Sequence, residues 1–247
     1  MGFLLSMLNQ TFLGLILISQ ASLLPQAVTP SAFLVKQEAV SSSSRLINER
    51  EVFTQKILDL STRLPSEYGS LVFADNILLA LHFLKGDQTS FKLEPEKPFH
   101  PTNMNWEKIR EPFEVSFVLL PGEVFAFHRN VLPEFQNRVT VTMNSRFYIE
   151  EGYKSFAGLG GNGVCHLASL LNWVASSAGL KVEARVNHNF YPIPGVPFLY
   201  GTSIRYAEKG YNSQSQNLYI ENNFSFPVEF VFEVKEKLVI LKVNKLN

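Results

Sequence analysis

The chain has 247 residues, enough for one domain with a substantial core, or one domain with a small appendage. A hydrophobic fraction of 46% with 18% charged residues excludes global disorder, and 22 basic against 22 acidic residues leave no charge excess that would call for nucleic acid. The single cysteine excludes an intrachain disulfide, so the compartment has to be read from other features.

The first 27 residues carry no charge, and the first lysine is Lys36. The apolar run from Phe12 to Ile18, extended by Phe3 to Leu8, suits the hydrophobic stretch of a signal peptide, and Ser19 to Ala21 offers small residues for cleavage. Asn9, Gln10 and Gln20 interrupt it, and a basic flank is missing, so an uncleaved anchor and a buried segment stay open beside the signal peptide. Either of the first two readings makes the protein exported or membrane-anchored. Residues 28–44, ending in a serine run, read as a flexible tether.

An N-terminal helical segment is expected over residues 45–88. Leu46, Phe53, Ile57, Leu60 and Leu64 form one stripe at helical spacing, stopped by Pro65. Ser70 to Gly86 is apolar nearly all round, which predicts a buried helix with His82 as a hydrogen-bonded core residue. Residues 89–112, rich in Pro, Asn, Lys and Glu, read as a connector with a solvated His100. Beyond it the period changes to two. Strands are expected around a Pro121-Gly122 turn, over "RVTVTMNSRFYI", "LKVEARVNHNF", "FLYGTSIRY" and "NLYIENN", and as a terminal hairpin around Lys235-Glu236. The fold class is therefore α+β: antiparallel strands packed around one central helix that starts at a Gly-rich turn and the cysteine.

That helix follows "GLGGNGVCH" at residues 158–166. Asn162 can cap it, Gly179 can end it, and a thiol in its first turn sits near the positive end of the helix dipole, which favours the thiolate. Gly160, Gly161 and Gly163 allow a tight turn or close approach to a ligand. The helix would span roughly 20 Å, and an extended strand from Leu180 to His188 roughly 26 Å, so a strand folding back returns His188 to the level of Cys165. Side-chain parity places His188 on the apolar face with Val182, Ala184 and Val186. Cys165 and His188 are thus a candidate nucleophile and base, as in papain-like and transglutaminase-like enzymes, beside a plain packing role for the cysteine. His166 points away from Cys165, in a surface or supporting position. No standard zinc spacing includes Cys165, His166, His188 and His128, and no metal or cofactor is expected.

"FVLLPGEVFAFHRNV", the block from Glu150 to Phe190 and "NLYIENNFSFPVEFVFEV" together resemble successive blocks of the VanW-like family, named for an accessory protein of glycopeptide-resistance clusters. The resemblance covers roughly residues 113–234, about half the chain, and places a VanW-like domain at residues 113–247. It implies a bacterial, extracytoplasmic cell-envelope protein acting near peptidoglycan or its precursors. Cys165 and His188 match the family's cysteine and histidine, and Pro121, Gly122, Gly160, Gly161 and Gly163 match its proline and glycine positions. Where the family has glutamine this chain has His166, and where it has an acidic residue this chain has the run Tyr200-Gly201-Thr202-Ser203. The missing acid leaves Tyr200, Asn187 or Asn189 as orienting groups for His188. Three functions follow: a module binding cell-wall peptide or glycan in a cleft near Cys165, with Tyr200 and neighbouring aromatics as sugar platforms; a Cys-His thiol peptidase or acyl-transfer enzyme; and a non-catalytic scaffold for envelope assembly. Contact with the membrane would come through the N-terminus.

Overall fold

The computed structural model describes residues 50–86, 104–208 and 212–247. The leader, the tether and His100 lie outside the described residues. Among the described residues, two four-stranded sheets, one two-stranded sheet and three α-helices form the fold, which is α+β as expected. The first sheet runs β1 (Arg50–Asp59), β10 (Leu238–Leu246), β9 (Val228–Lys235), β2 (Phe113–Leu119), all antiparallel. In β2 the alternation is strict: Val115, Phe117 and Leu119 are buried, while Glu114, Ser116 and Val118 are exposed. Phe117 faces Phe230 directly across the ladder, and their rings stack at 4.7 Å, the kind of cross-strand pair that locks register. β9 and β10 form the expected terminal hairpin.

The second sheet runs β4 (Val139–Thr142), β3 (Val124–Ala126), β8 (Tyr219–Glu221), β7 (Lys181–Glu183). β3 and β4 pair in parallel. The Pro121-Gly122 turn has Gly122 at φ +81°, and Glu123 N–H donates to the Leu120 carbonyl, as a type II turn requires. It separates β2 and β3 into different sheets. Helix α1 (Glu67–Lys85) packs against β2 and the short α2 (Trp106–Arg110), and α3 (Val164–Ser177) packs against β1 and β10. One hydrophobic core runs from Leu58 through α1 and α3 to Val243, so residues 50–86 share it with the rest of the chain.

Three expectations require correction. The stretch expected as a helix over Arg45 to Leu64 is, where described, strand β1 and a 3-10 turn at Leu60–Thr62. Pairing along β10 outweighs a local stripe. Its inward positions include Thr54 and Lys56, and Lys56 lays its ammonium over Trp173 at 4.5 Å, so the alternation is disguised. The strand expected to reach His188 ends at Glu183, because its partner β8 ends at Tyr219, where Asn217 and Gln216 turn to bond His128 and Arg205. "FLYGTSIRY" forms a 3-10 turn at Phe198–Tyr200 and then irregular chain, because α3 side chains take up its polar backbone. The buried helix ending at Gly86 is found as α1, with Ser66 as its N-cap. His82 is the expected core histidine: its Nε2 lies 3.1 Å from the Ile109 carbonyl, and its ring stacks on Phe113 at 4.0 Å.

Asn222 ties the sheets together. Its buried Nδ2 donates to the carbonyls of Leu119 and Phe226, both at 2.9 Å, its Oδ1 accepts from Phe224 N–H, and its carbonyl accepts from Gly122 N–H at the turn. Replacing Asn222 with alanine strands the Leu119 and Phe226 carbonyls and the Phe224 N–H and should lower stability by about 2–4 kcal/mol. The same change at the exposed Asn223, which bonds Lys181 N–H, should cost under about 1 kcal/mol. Urea unfolding of the two variants checks this; equal losses would contradict it.

Candidate functional site

The glycine run is shaped by neighbours within the fold. A short hairpin, β5 (Ser155–Phe156) and β6 (Leu159–Gly160), turns through Ala157 and Gly158, both at positive φ. Gly161 then takes φ +68° and Gly163 φ +101°. A Cβ on Gly163 would lie 2.5 Å from the Phe73 carbonyl oxygen, and one on Gly161 would lie 2.9 Å from the Phe147 carbonyl oxygen. The close approach that these two glycines permit is therefore to protein backbone. Asn76, fully buried on α1, holds the approach: its Nδ2 donates to the carbonyls of Lys154 and Asn162, each at 2.9 Å, and its Oδ1 accepts from Lys154 N–H at 2.8 Å. Beside it, buried Asp75 receives Arg110 through two 2.8 Å bonds and also the Lys154 ammonium. The expectation that Asn162 caps α3 is corrected, because its Oδ1 accepts from Phe156 N–H at 2.8 Å and the cap position is Gly163.

α3 presents Cys165, Ser169 and Asn172 along one face at spacings of four and three, and the irregular segment Tyr200 to Ile204 is stitched to it. Asn172 donates to the Tyr200 carbonyl and to Thr202 Oγ1, Ser169 Oγ accepts from Thr202 N–H at 2.8 Å, and Cys165 Sγ accepts from Ile204 N–H at 3.4 Å. The thiol in turn contacts the Ile204 carbonyl at 3.7 Å. Cys165 thus heads a polar stripe that binds backbone.

A pocket of about 850 Å³ opens beside the start of α3. Gly160 to His166 form one wall, Phe147 to Glu150 another, and Ser203 to Ala207 a third, with His188, Phe190 and Tyr191 completing it. The structure therefore brings Cys165, His166, His188 and the three glycines to one pocket. It does so with irregular chain: beyond Glu183 the return path is kept by the Ser203 N–H to Val186 carbonyl bond and by the side chains of Arg185, on Glu134, and Asn187, on the Phe198 carbonyl. Tyr200 is not among the lining residues; its ring stacks on Trp173 at 6.2 Å, on the far side of the Asn172 clamp. His166 is buried, contrary to a surface position, because α1 covers it: its ring meets Phe73 edge-on at 5.0 Å and His188 at 6.0 Å. Arg146, Tyr148, Arg205 and Tyr206 also line the pocket, and the sequence offered no periodic signal for them.

The electrostatics run against a thiolate. Burial pushes the Cys165 thiol above its ordinary range, and the Ile204 and Cys165 backbone N–H groups only partly offset this. A helix dipole contributes about 0.3–1 kcal/mol, less than one pKa unit, whereas desolvation shifts buried groups by up to several units. No hydrogen bond joins Sγ to either imidazole among the described residues, since Sγ is engaged with Ile204. Burial, followed by the nearby Arg63 and His188, pushes His166 down to about 3. Burial also lowers His188, against the pull of its own backbone and that of Tyr191. His128, tied to the Gln216 carbonyl in the core, is pushed down to about 4, mainly by burial. All three rings are neutral near pH 7.

Two outcomes follow. Alkylation of Cys165 by iodoacetamide should still be rising above pH 8.5, the ordinary thiol midpoint, and a rate that levels off below about pH 8 would contradict the burial account. For His166, the folded pKa lies below the unfolded one, so its contribution is complete above about pH 6.5 and is lost as pH falls toward 3. His166→Gln should therefore flatten the acid loss of stability by roughly 1 kcal/mol per pH unit in that window. Parallel slopes for variant and parent in denaturant melts at pH 7, 6, 5 and 4 would contradict it.

No curated protein and no solved structure matches the chain. The family model described as VanW like protein matches residues 115–243, from within β2 to within β10, and takes in the glycine loop, α3, His188 and the Asn222 corner. That match covers just over half of the chain, and the protein belongs to the VanW-like family.

Proposed function

We propose that this protein is an extracytoplasmic cell-envelope protein that binds cell-wall peptide or glycan in the pocket beside Cys165 and His188, without using the thiol as a nucleophile. The observation that carries the reading is the mouth of the pocket. Phe190 is 78% exposed and Tyr191 42% exposed, and both line an opening whose volume suits a ligand of a few sugar or amino-acid residues. Exposed aromatic rings at a pocket edge are costly to leave in water and apt for stacking on sugar faces or peptide planes. Tyr148 and Tyr206, in edge contact at 5.8 Å, supply two further rings with polar tips. The thiol-enzyme reading loses its support where Cys165 is tied to Ile204 and its pKa is raised. The uncharged apolar leader and the family membership support the envelope location.

Sedimentation with purified peptidoglycan tests the reading. The parent protein should be retained above a control protein. Phe190→Ala combined with Tyr191→Ala should weaken retention about tenfold, as expected for two stacking contacts of about 0.5–1.5 kcal/mol each. No retention of the parent, or equal retention of the aromatic double variant, would overturn it.

A further inference from the structure

Behind the aromatic mouth, the floor of the pocket has a chemistry of its own. His166 is 1% exposed and makes no hydrogen bond through either ring nitrogen among the described residues. Its Nδ1 is sealed from water without a partner, and a buried lone pair is tolerated better than a buried orphan N–H. The proton therefore belongs on Nε2, which leaves a donor directed at the pocket that His166 lines. Arg63 lies close enough to depress the His166 pKa. It is also 1% exposed, donates from Nη1 to the Pro194 carbonyl at 3.0 Å, leaves Nε without a partner and forms no ion pair among the described residues. Asp59 meets its charge from a distance rather than by contact, so the guanidinium still adds positive potential near the His166 ring.

The same floor receives the N-terminus of α3, a helix of 14 residues. In its first turn the Val164 and His166 N–H groups bond the Gly161 and Gly163 carbonyls, which leaves the Cys165 N–H beside its own sulfur, and the dipole adds positive potential. Arg146 and Arg205 stand on the walls. Arg146 is paired with Glu151 and Glu208, and Glu150 is the sole acidic side chain lining the pocket. His188 faces His166 at 6.0 Å with its own Nδ1 unpartnered.

We propose that this floor is a carboxylate subsite, in which the His166 ring N–H and the Cys165 N–H at the start of α3 receive a free carboxylate of the cell-wall peptide. This rests on the binding reading above and adds the charged group that anchors the ligand. Cys165 lies within the subsite as the residue that fixes the backbone, with its sulfur turned to Ile204. An anion there supplies an acceptor for the His166 donor and a negative charge near Arg63 beyond that of Asp59.

The probes are N-acetylalanine and N-acetylalaninamide, which differ in the carboxylate alone, titrated into the full chain at pH 7. The readout is the imidazole ¹H–¹⁵N signals of His166 and His188. N-acetylalanine should shift the His166 signal saturably, and the amide should bind at least about tenfold more weakly, the weight of one charge-assisted hydrogen bond. His166→Leu should abolish carboxylate preference, followed on the His188 signal, and His166→Gln, which keeps a donor, should retain part of it. Equal response to both probes, or no saturable response to either, overturns the subsite. Peptidoglycan retention without carboxylate preference removes this inference alone. Carboxylate binding without peptidoglycan retention keeps the subsite and removes the cell-wall reading.

Discussion

The pocket depends on one contact between backbones, that of Gly163 against Phe73. With φ at +101° and no room for a Cβ, Gly163 brings the start of α3 against α1, and the Asn76 carboxamide holds the two together through both ends of the glycine loop. Three hydrogen bonds from one fully buried side chain are strongest where water is excluded, and the same exclusion makes their loss costly. The acidic neighbour, Asp75, fastens α2 and Lys154 to the same turn of α1. The first turn of α3, the His166 ring and the wall of the pocket take their positions from this junction.

The junction reaches beyond the part of the chain that matches the family. Residues 115–243 contain the glycine loop and α3, while Phe73, Asp75, Asn76 and Arg63 lie before them. The N-terminal elements therefore complete the pocket. α1 covers His166 with Phe73, and the turn after β1 places a buried arginine behind it. The proposed subsite would thus be a joint product of the family domain and the segment that precedes it. The aromatic mouth belongs to the family-matched region alone.

Local signals carried much of the fold. α3 was legible from an apolar run ended by Gly179, which takes φ +79° as a stop residue should, and the terminal hairpin from two alternating runs. α1 was legible as a buried helix, and its awkward residues Asp75 and Asn76 proved to be its anchors. What sequence missed depended on partners distant in the chain. β1 was obscured because its inward Lys56 is satisfied by Trp173 on α3, more than a hundred positions away. The path to His188 was right in destination and wrong in form, since an extended strand needs a neighbour and β8 stops at Tyr219. The thiol's environment followed the same logic: the dipole was readable from Gly163 and Cys165, but the desolvation that outweighs it comes from the core packed around the side chain. Arg63 had no local mark at all, because its burial is set by Pro194 and α3.

These constraints support the proposed binding role over a thiol centre. Sulfur is bonded to the Ile204 backbone, burial lowers the basicity of His166 and His188, and both rings line a pocket with the exposed Phe190 and Tyr191. Hydrogen–deuterium exchange of the full chain, with and without soluble peptidoglycan fragments, tests this most directly. The account predicts added protection at residues 160–166 and 188–191, with the β9–β10 hairpin unchanged. Protection confined to other surfaces, or none at saturating fragment, would contradict it.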